Sequence, residues 1–264
     1  MHRVPALFVA LAFGFALGAP AFAQTADSKA AAKMPPPTAD AVAVRKLIEE
    51  RFPGISIKYV AKSPYFGLYE ALSDDQMLYV DPKVNYIFVG QIYDGKTRTN
   101  LTEKKVREIN RIDFAELPLN LAMKKVKGNG SRKLAVFSDA DCPFCHRLEE
   151  ALKDVNDVTI YTFLYPIDQL HPDAARKSRL IWCSADKVKS WDEYFASGAL
   201  PANNGDCDNP LAATQALGQK LRVQATPTLV FADGSIIPGA LPAANLESEL
   251  KRAESEAKKV AAAK

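Results

Sequence analysis

Two cysteines three positions apart, Cys142 and Cys145, are the side chains in this sequence best suited to chemistry. A cysteine attacks as its thiolate, and the first turn of a helix stabilises that anion through unpaired N–H groups and aligned peptide dipoles. Leu134-Ala135-Val136-Phe137 reads as a short buried strand, Ser138-Asp139-Ala140-Asp141 as a loop, and the stretch from about Cys142 to Leu152 as a helix. Cys142 then sits where the helix terminus helps most. Cys145 lies one turn inward on the same face, placed to attack a mixed disulfide formed on Cys142. Pro143 has the φ that a first helical turn wants but offers no N–H, so Phe144 and Cys145 must supply the donors. The chemistry expected is thiol-disulfide exchange.

The same residues admit other uses. A structural bridge between Cys142 and Cys145 would be strained, and so small a loop gains little entropy from closure. Zinc needs two further ligands, and the sequence has no second C-x-x-C. With His146 the segment also fits C-x-x-C-H, the attachment pattern of c-type haem. All four methionines (Met1, Met34, Met77 and Met123) precede the motif, however, and His171 is the one later histidine. The expectation is a dithiol without metal or cofactor, with a c-type haem protein as an alternative. His146 reads as a helix-surface residue that adjusts local charge, proton transfer being its second reading.

Two features further along bear on the same site. Cys183 and Cys207 fall near Trp182 and Trp191, and closing a loop of that size stabilises a fold by roughly 3 to 3.5 kcal/mol in the chain-entropy model. They are expected to form a structural disulfide, because nothing around either resembles an activated thiol; a second redox pair is the competing reading. Thr226-Pro227 precedes the strand Thr228-Leu229-Val230-Phe231. A cis bond there would offer Thr226 backbone groups to an extended substrate beside Cys142.

The elements that position these residues follow from composition and pattern. Arg3, the apolar run Ala6 to Ala19 and Ala21-Phe22-Ala23 read as a secretory signal over 1–23, too short to span a bilayer. Export places the four cysteines in an oxidising compartment. Residues 24–37, with Pro35-Pro36-Pro37, form a leader too polar to repay ordering. The totals of 34 Lys and Arg against 31 Asp and Glu argue against electrostatic binding of nucleic acid. About 240 mature residues suit two domains.

The first domain is expected over 38–96. Val42, Val44, Leu47, Ile48 and Phe52 mark an amphipathic helix, and a curled antiparallel sheet follows. Its last strand is read as the whole run Asn85 to Tyr93, an edge that could pair with a second subunit or else a central strand. A polar linker helix is placed within 97–130, starting near Asn100 and spanning solvent. Residues 131–264 read as an α/β domain of strand, helix, strand, helical segments through Trp191, a hairpin across Ala232-Asp233-Gly234 and a terminal helix.

With these residues in view, the chain resembles the DsbC/DsbG family of periplasmic disulfide isomerases. The resemblance rests on Phe137-Ser138-Asp139 before Cys142-Pro143-Phe144-Cys145-His146, on Ile181-Trp182-Cys183 and Cys207, and on Ala225-Thr226-Pro227-Thr228 followed by Asp233-Gly234 and Pro238-Gly239. It implies an α+β cystatin-like dimerisation domain, a linker helix and an α/β thioredoxin-like domain with a helical insertion. It also implies a periplasmic homodimer that pairs through Tyr86, Ile87, Phe88, Val89 and Gly90 and binds misfolded or misoxidised exported proteins in a cleft. By the same resemblance Cys142 attacks, Cys145 resolves, Thr226 and cis Pro227 receive substrate, and a membrane reductase of the DsbD kind keeps the dithiol reduced. Chaperone activity is implied as well. Pro143 matches the DsbG motif, where DsbC more often has Gly, which leaves open protection of single sulfenylated cysteines. A thiol-independent holdase is the reading from another class.

Overall fold

The computed structural model describes residues 36–74 and 76–262; the expected signal segment and all but the last residues of the leader lie outside the described residues. Among the described residues, no helix is long and apolar enough to cross a membrane.

Helix α1 (Ala39–Arg51) begins at Thr38, whose hydroxyl accepts from the Ala41 N–H at 3.3 Å. It buries Ala41, Val44 and Ile48 against a sheet of β1 (Ile57–Lys62), β2 (Tyr69–Ser73), β3 (Gln76–Val80) and β4 (Ile87–Val89), all antiparallel in the order β1-β2-β3-β4. Val42 and Phe52, expected on the apolar face, are exposed, because the spacing 41, 44, 48 turns Val42 to the opposite side.

The run Asn85 to Tyr93 lies at the edge of the sheet, one of the two placements expected of it, but it is not one strand. The Asp81 carboxylate accepts from the N–H groups of Lys83 and Tyr86, Val84 turns through φ +53°, and only Ile87–Val89 joins the sheet, opposite Leu78–Val80, while Tyr93 makes an isolated bridge to Asn100. Beyond Gly90 the Ile92 N–H goes to the Thr102 hydroxyl at 2.8 Å instead of to a neighbouring strand. Tyr86, Phe88 and Val89 are left 70%, 56% and 60% exposed.

Helix α2 (Leu101–Ile109) does not span solvent. Val106 and Ile109 cover the second face of the first sheet with Leu72, Met77 and Tyr79, and the Tyr79 and Thr102 hydroxyls meet at 2.6 Å. From α2 and the residues just after it the chain reaches the second domain: Arg107 pairs with Glu249, Arg111 with Asp233, and the Ile112 N–H donates to the Gly234 carbonyl, while Lys105 pairs with Glu108 within the helix. The polarity read as exposure is therefore largely ion pairing. The stretch 97–130 also holds more than a linker, since β5 (Met123–Lys127) belongs to the second sheet.

That sheet has the order β5-β7-β6-β8-β9, built from β5, β6 (Arg132–Ser138), β7 (Val158–Leu164), β8 (Thr228–Phe231) and β9 (Ile236–Pro238). β6 and β7 are parallel and the other pairings antiparallel. The period of two divides β6 between two cores. Leu134 and Val136 pack with Leu148 and Leu152 of α3 (Pro143–Lys153) and with Leu246 and Leu250 of α7 (Ala243–Ala262). Ala135 and Phe137 face Phe114, Phe163, Tyr165 and Val230, with Phe137 stacked on Phe163 at 5.0 Å. Between β7 and β8 lies the helical insertion, α4 (Ala174–Trp182) and α5 (Lys187–Ser197), followed by α6 (Leu211–Lys220). Ile181, Trp191, Tyr194 and Leu211 close it against Met123, Ala140 and Leu164. Helix α6 lies beyond the helical segments expected through Trp191.

Candidate active site

Strand β6, central in its sheet, delivers the loop Asp139–Asp141 to the top of the domain, and α3 starts immediately after it. Cys142 is the residue capping that helix and Pro143 opens it. The helix N-terminus therefore faces the Cys142 sulfur, as the spacing predicted. Cys142 is 4% exposed and Cys145 fully buried, and both are free thiols.

The two sulfurs have opposite environments. Cys142 is pulled down to about 5 from its ordinary 9.0, first by the Cys145 thiol donating to it. The Thr226 hydroxyl and the N–H groups of Cys145 and Phe144 act in the same direction, against burial. Cys145 is pushed well above the usual thiol range, chiefly because it is buried and then because its neighbour is the anion it would have to join. The Asp139 N–H reaches its sulfur at 3.4 Å. One thiolate and one thiol is the stable reduced state near neutral pH.

The Thr226–Pro227 peptide is cis, and the Cys142 thiol lies 3.2 Å from the Thr226 carbonyl oxygen. The Pro227 carbonyl is occupied by the Gly239 N–H at 2.7 Å. Phe144, by contrast, is 51% exposed between the cysteines, with the Arg147 guanidinium 5.0 Å from its ring centre. The loop before Cys142 carries two carboxylates to which the sequence alone assigns no role. Asp139 is fully buried, accepting from the N–H groups of Asp141 and Ile167 at 2.8 Å and pairing with His171 Nδ1 at 2.9 Å. Asp141 accepts from Lys177 Nζ at 2.5 Å and the Tyr194 hydroxyl at 2.7 Å. In the sequence Asp139 stands within Phe137-Ser138-Asp139 ahead of the motif, whereas Asp141 has no signal beyond lying directly before Cys142.

His146 is an exposed helix residue whose ring lies 4.3 Å from that of Phe195, in keeping with the surface reading. A c-type haem would need both sulfurs presented outward and this imidazole turned to the iron. The burial of Cys145 and the Phe195 contact oppose that arrangement. Cys183 and Cys207 form a disulfide across 24 positions, tying the end of α4 to the loop before α6. Tyr86 to Gly90 belong to the other domain and take no part in the thiol site.

A family model described as a thioredoxin-like domain matches residues 119–254, and one described as the disulfide bond isomerase protein N-terminal domain matches residues 24–103. A probable thiol:disulfide interchange protein DsbC from Bordetella pertussis is 41% identical over 219 residues, covering 83% of this chain and 76% of that protein. The thiol:disulfide interchange protein DsbC of Escherichia coli K12 is 29% identical, over 77% of this chain and 84% of its own. A crystal structure of a disulfide interchange protein from Neisseria gonorrhoeae, 45% identical, superposes with a TM-score of 0.50 over 52% of this chain and 98% of that one.

Proposed function

The chain belongs to the DsbC family of thiol:disulfide interchange proteins, and on that premise we propose that Cys142 is its nucleophile and Cys145 its resolving thiol. The activity is thiol-disulfide exchange and disulfide isomerisation. The observation that carries the assignment of roles is the asymmetry of the two sulfurs, one ionised near neutral pH and the other held protonated.

The Cys142 thiolate attacks one sulfur of a substrate disulfide, forming a mixed disulfide and expelling the other substrate sulfur as thiolate. That thiolate can attack another disulfide in the same substrate. When a substrate thiolate then attacks the substrate's own sulfur in the mixed disulfide, Cys142 leaves as thiolate, and the net change is rearrangement without redox. If Cys145 loses its proton and attacks the Cys142 sulfur instead, the substrate leaves reduced and the enzyme becomes the Cys142–Cys145 disulfide. The buried Cys145 gives up its proton reluctantly, so this exit is slow and the substrate has time to rearrange. Thr226 and Pro227 form the wall against which the substrate strand lies beside Cys142.

An isomerase must start each cycle as the dithiol. In an oxidising compartment this requires an electron donor, here a membrane reductase of the DsbD kind. The export signal over 1–23 and the Cys183–Cys207 disulfide support a periplasmic location. The exposed β4 edge supports a homodimer built through Tyr86 to Gly90, with the two thiol sites serving misfolded or misoxidised exported proteins and with chaperone activity. Pro143 favours a second reading, in which Cys142 attacks a single sulfenylated cysteine, expels hydroxide, and Cys145 completes its reduction.

Recovery of activity by scrambled, fully oxidised ribonuclease in a glutathione buffer tests the assignment. Recovery that depends on Cys142, lost in Cys142→Ala, is the expected result. Equal recovery with Cys142→Ala contradicts it, and no recovery from a protein that still reduces a sulfenylated thiol moves the function to the second reading.

A further inference from the structure

Asp141 is an unfavourable neighbour for a thiolate. Its carboxylate is on the residue directly before Cys142, its side chain is only 18% exposed, and a like charge close by disfavours a second anion. The helical insertion answers it. Lys177 of α4 reaches the Asp141 Oδ1 at 2.5 Å, and the Tyr194 hydroxyl of α5 donates to the same oxygen at 2.7 Å. Lys177 Nζ also lies 5.7 Å from the Tyr194 ring centre. The other ionisable groups beside this pair are Asp173, 3.7 Å from Lys177 and already held by two bonds from Arg176, and the His146 ring of α3, 6.3 Å from that of Tyr194. Asp139, on the far side of Ala140, is engaged with His171 and the Ile167 N–H.

We propose that Lys177 is a positioning residue for the exchange reaction: by pairing with Asp141 it fastens the loop before Cys142 to the insertion and cancels the charge that would oppose the thiolate. The proposal rests on Cys142 being the nucleophile. It gives the insertion between β7 and β8 a second task beyond filling space, since the cation that neutralises the loop comes from α4 and the hydroxyl that shares its oxygen from α5.

The test is the pH profile of Cys142 alkylation in the reduced full chain, read by mass spectrometry, with circular dichroism confirming that each variant is folded. Lys177→Met leaves the carboxylate uncompensated, and its midpoint is expected to rise by about one pH unit. Lys177→Arg is expected to hold the wild-type midpoint. The double variant Lys177→Met with Asp141→Asn removes both charges and is expected to return towards wild type. An unmoved or lowered midpoint in Lys177→Met overturns the proposal, as does a double variant that stays fully shifted, which would mean Lys177 acts on the sulfur without Asp141. Wild-type protein in which Cys142 is not alkylated at any pH contradicts the nucleophile assignment itself, separately from the role of Lys177.

Discussion

A thiol that ionises at about 5 beside one held far higher sets a pH dependence that belongs to the single residue. Alkylation of Cys142 in the reduced protein should be at its plateau at pH 7 and fall through a midpoint near 5, and a midpoint near 8 to 9 would show that the helix terminus and the Cys145 thiol do not stabilise the anion. The same shift has a consequence for stability. The folded value lies below the ordinary 9.0, so the reduced fold gains stability that is full above pH 9 and lost as pH falls towards 5. Urea unfolding of reduced wild type and Cys142→Ala should therefore diverge more at pH 8 than at pH 5. Cys142, Cys145 and Thr226-Pro227 were legible in the sequence because a helix start and a three-residue spacing are local facts. The bonds of Asp139 were not, because its partners Ile167 and His171 lie 28 and 32 positions away and only the folded chain brings them to it.

Helices and strands were legible where one apolar stripe decided them and obscure where it did not. The buried face of α6 is Leu211, Thr214 and Gly218, so two of its three inward positions carry no apolar signal. β5 has three lysines among its five residues and reads as polar linker, yet it pairs along β7 because Met123 enters the core and Lys125 finds Asp192 at 2.7 Å. Gly218 is where α6 fits the sheet: an added Cβ would stand 2.2 Å from the Tyr165 ring. Gly218→Ala should cost about 1–3 kcal/mol of unfolding free energy in urea titration, and an unchanged midpoint would mean that α6 does not pack there. Replacing both Cys183 and Cys207 by Ala should lower stability by about 3.5 kcal/mol in the chain-entropy model without moving the alkylation midpoint of Cys142. A shifted midpoint in that variant would restore the reading of a second redox pair.

For the whole molecule, the two domains are joined by α2 and the residues just after it, held to the first sheet through Thr102, Val106 and Ile109 and to the second domain through Arg107 and, past the helix, Arg111. This double attachment could not be read from a helix whose residues are mostly charged. The free β4 edge is the other feature at this scale. A side chain at Gly90 meets nothing within 4 Å, so Gly90→Arg should fold normally and yet sediment as a monomer if that edge joins two copies. A Gly90→Arg variant that remains dimeric would place the interface elsewhere. The central claim, that Cys142 is the sulfur that enters the substrate, is tested most directly by trapping. With Cys145→Ser the resolving exit is closed, and incubation with a scrambled disulfide protein should accumulate a mixed disulfide whose peptide map joins the substrate to Cys142. A map joining the substrate to Cys183 or Cys207, or no covalent complex at all, would contradict the account.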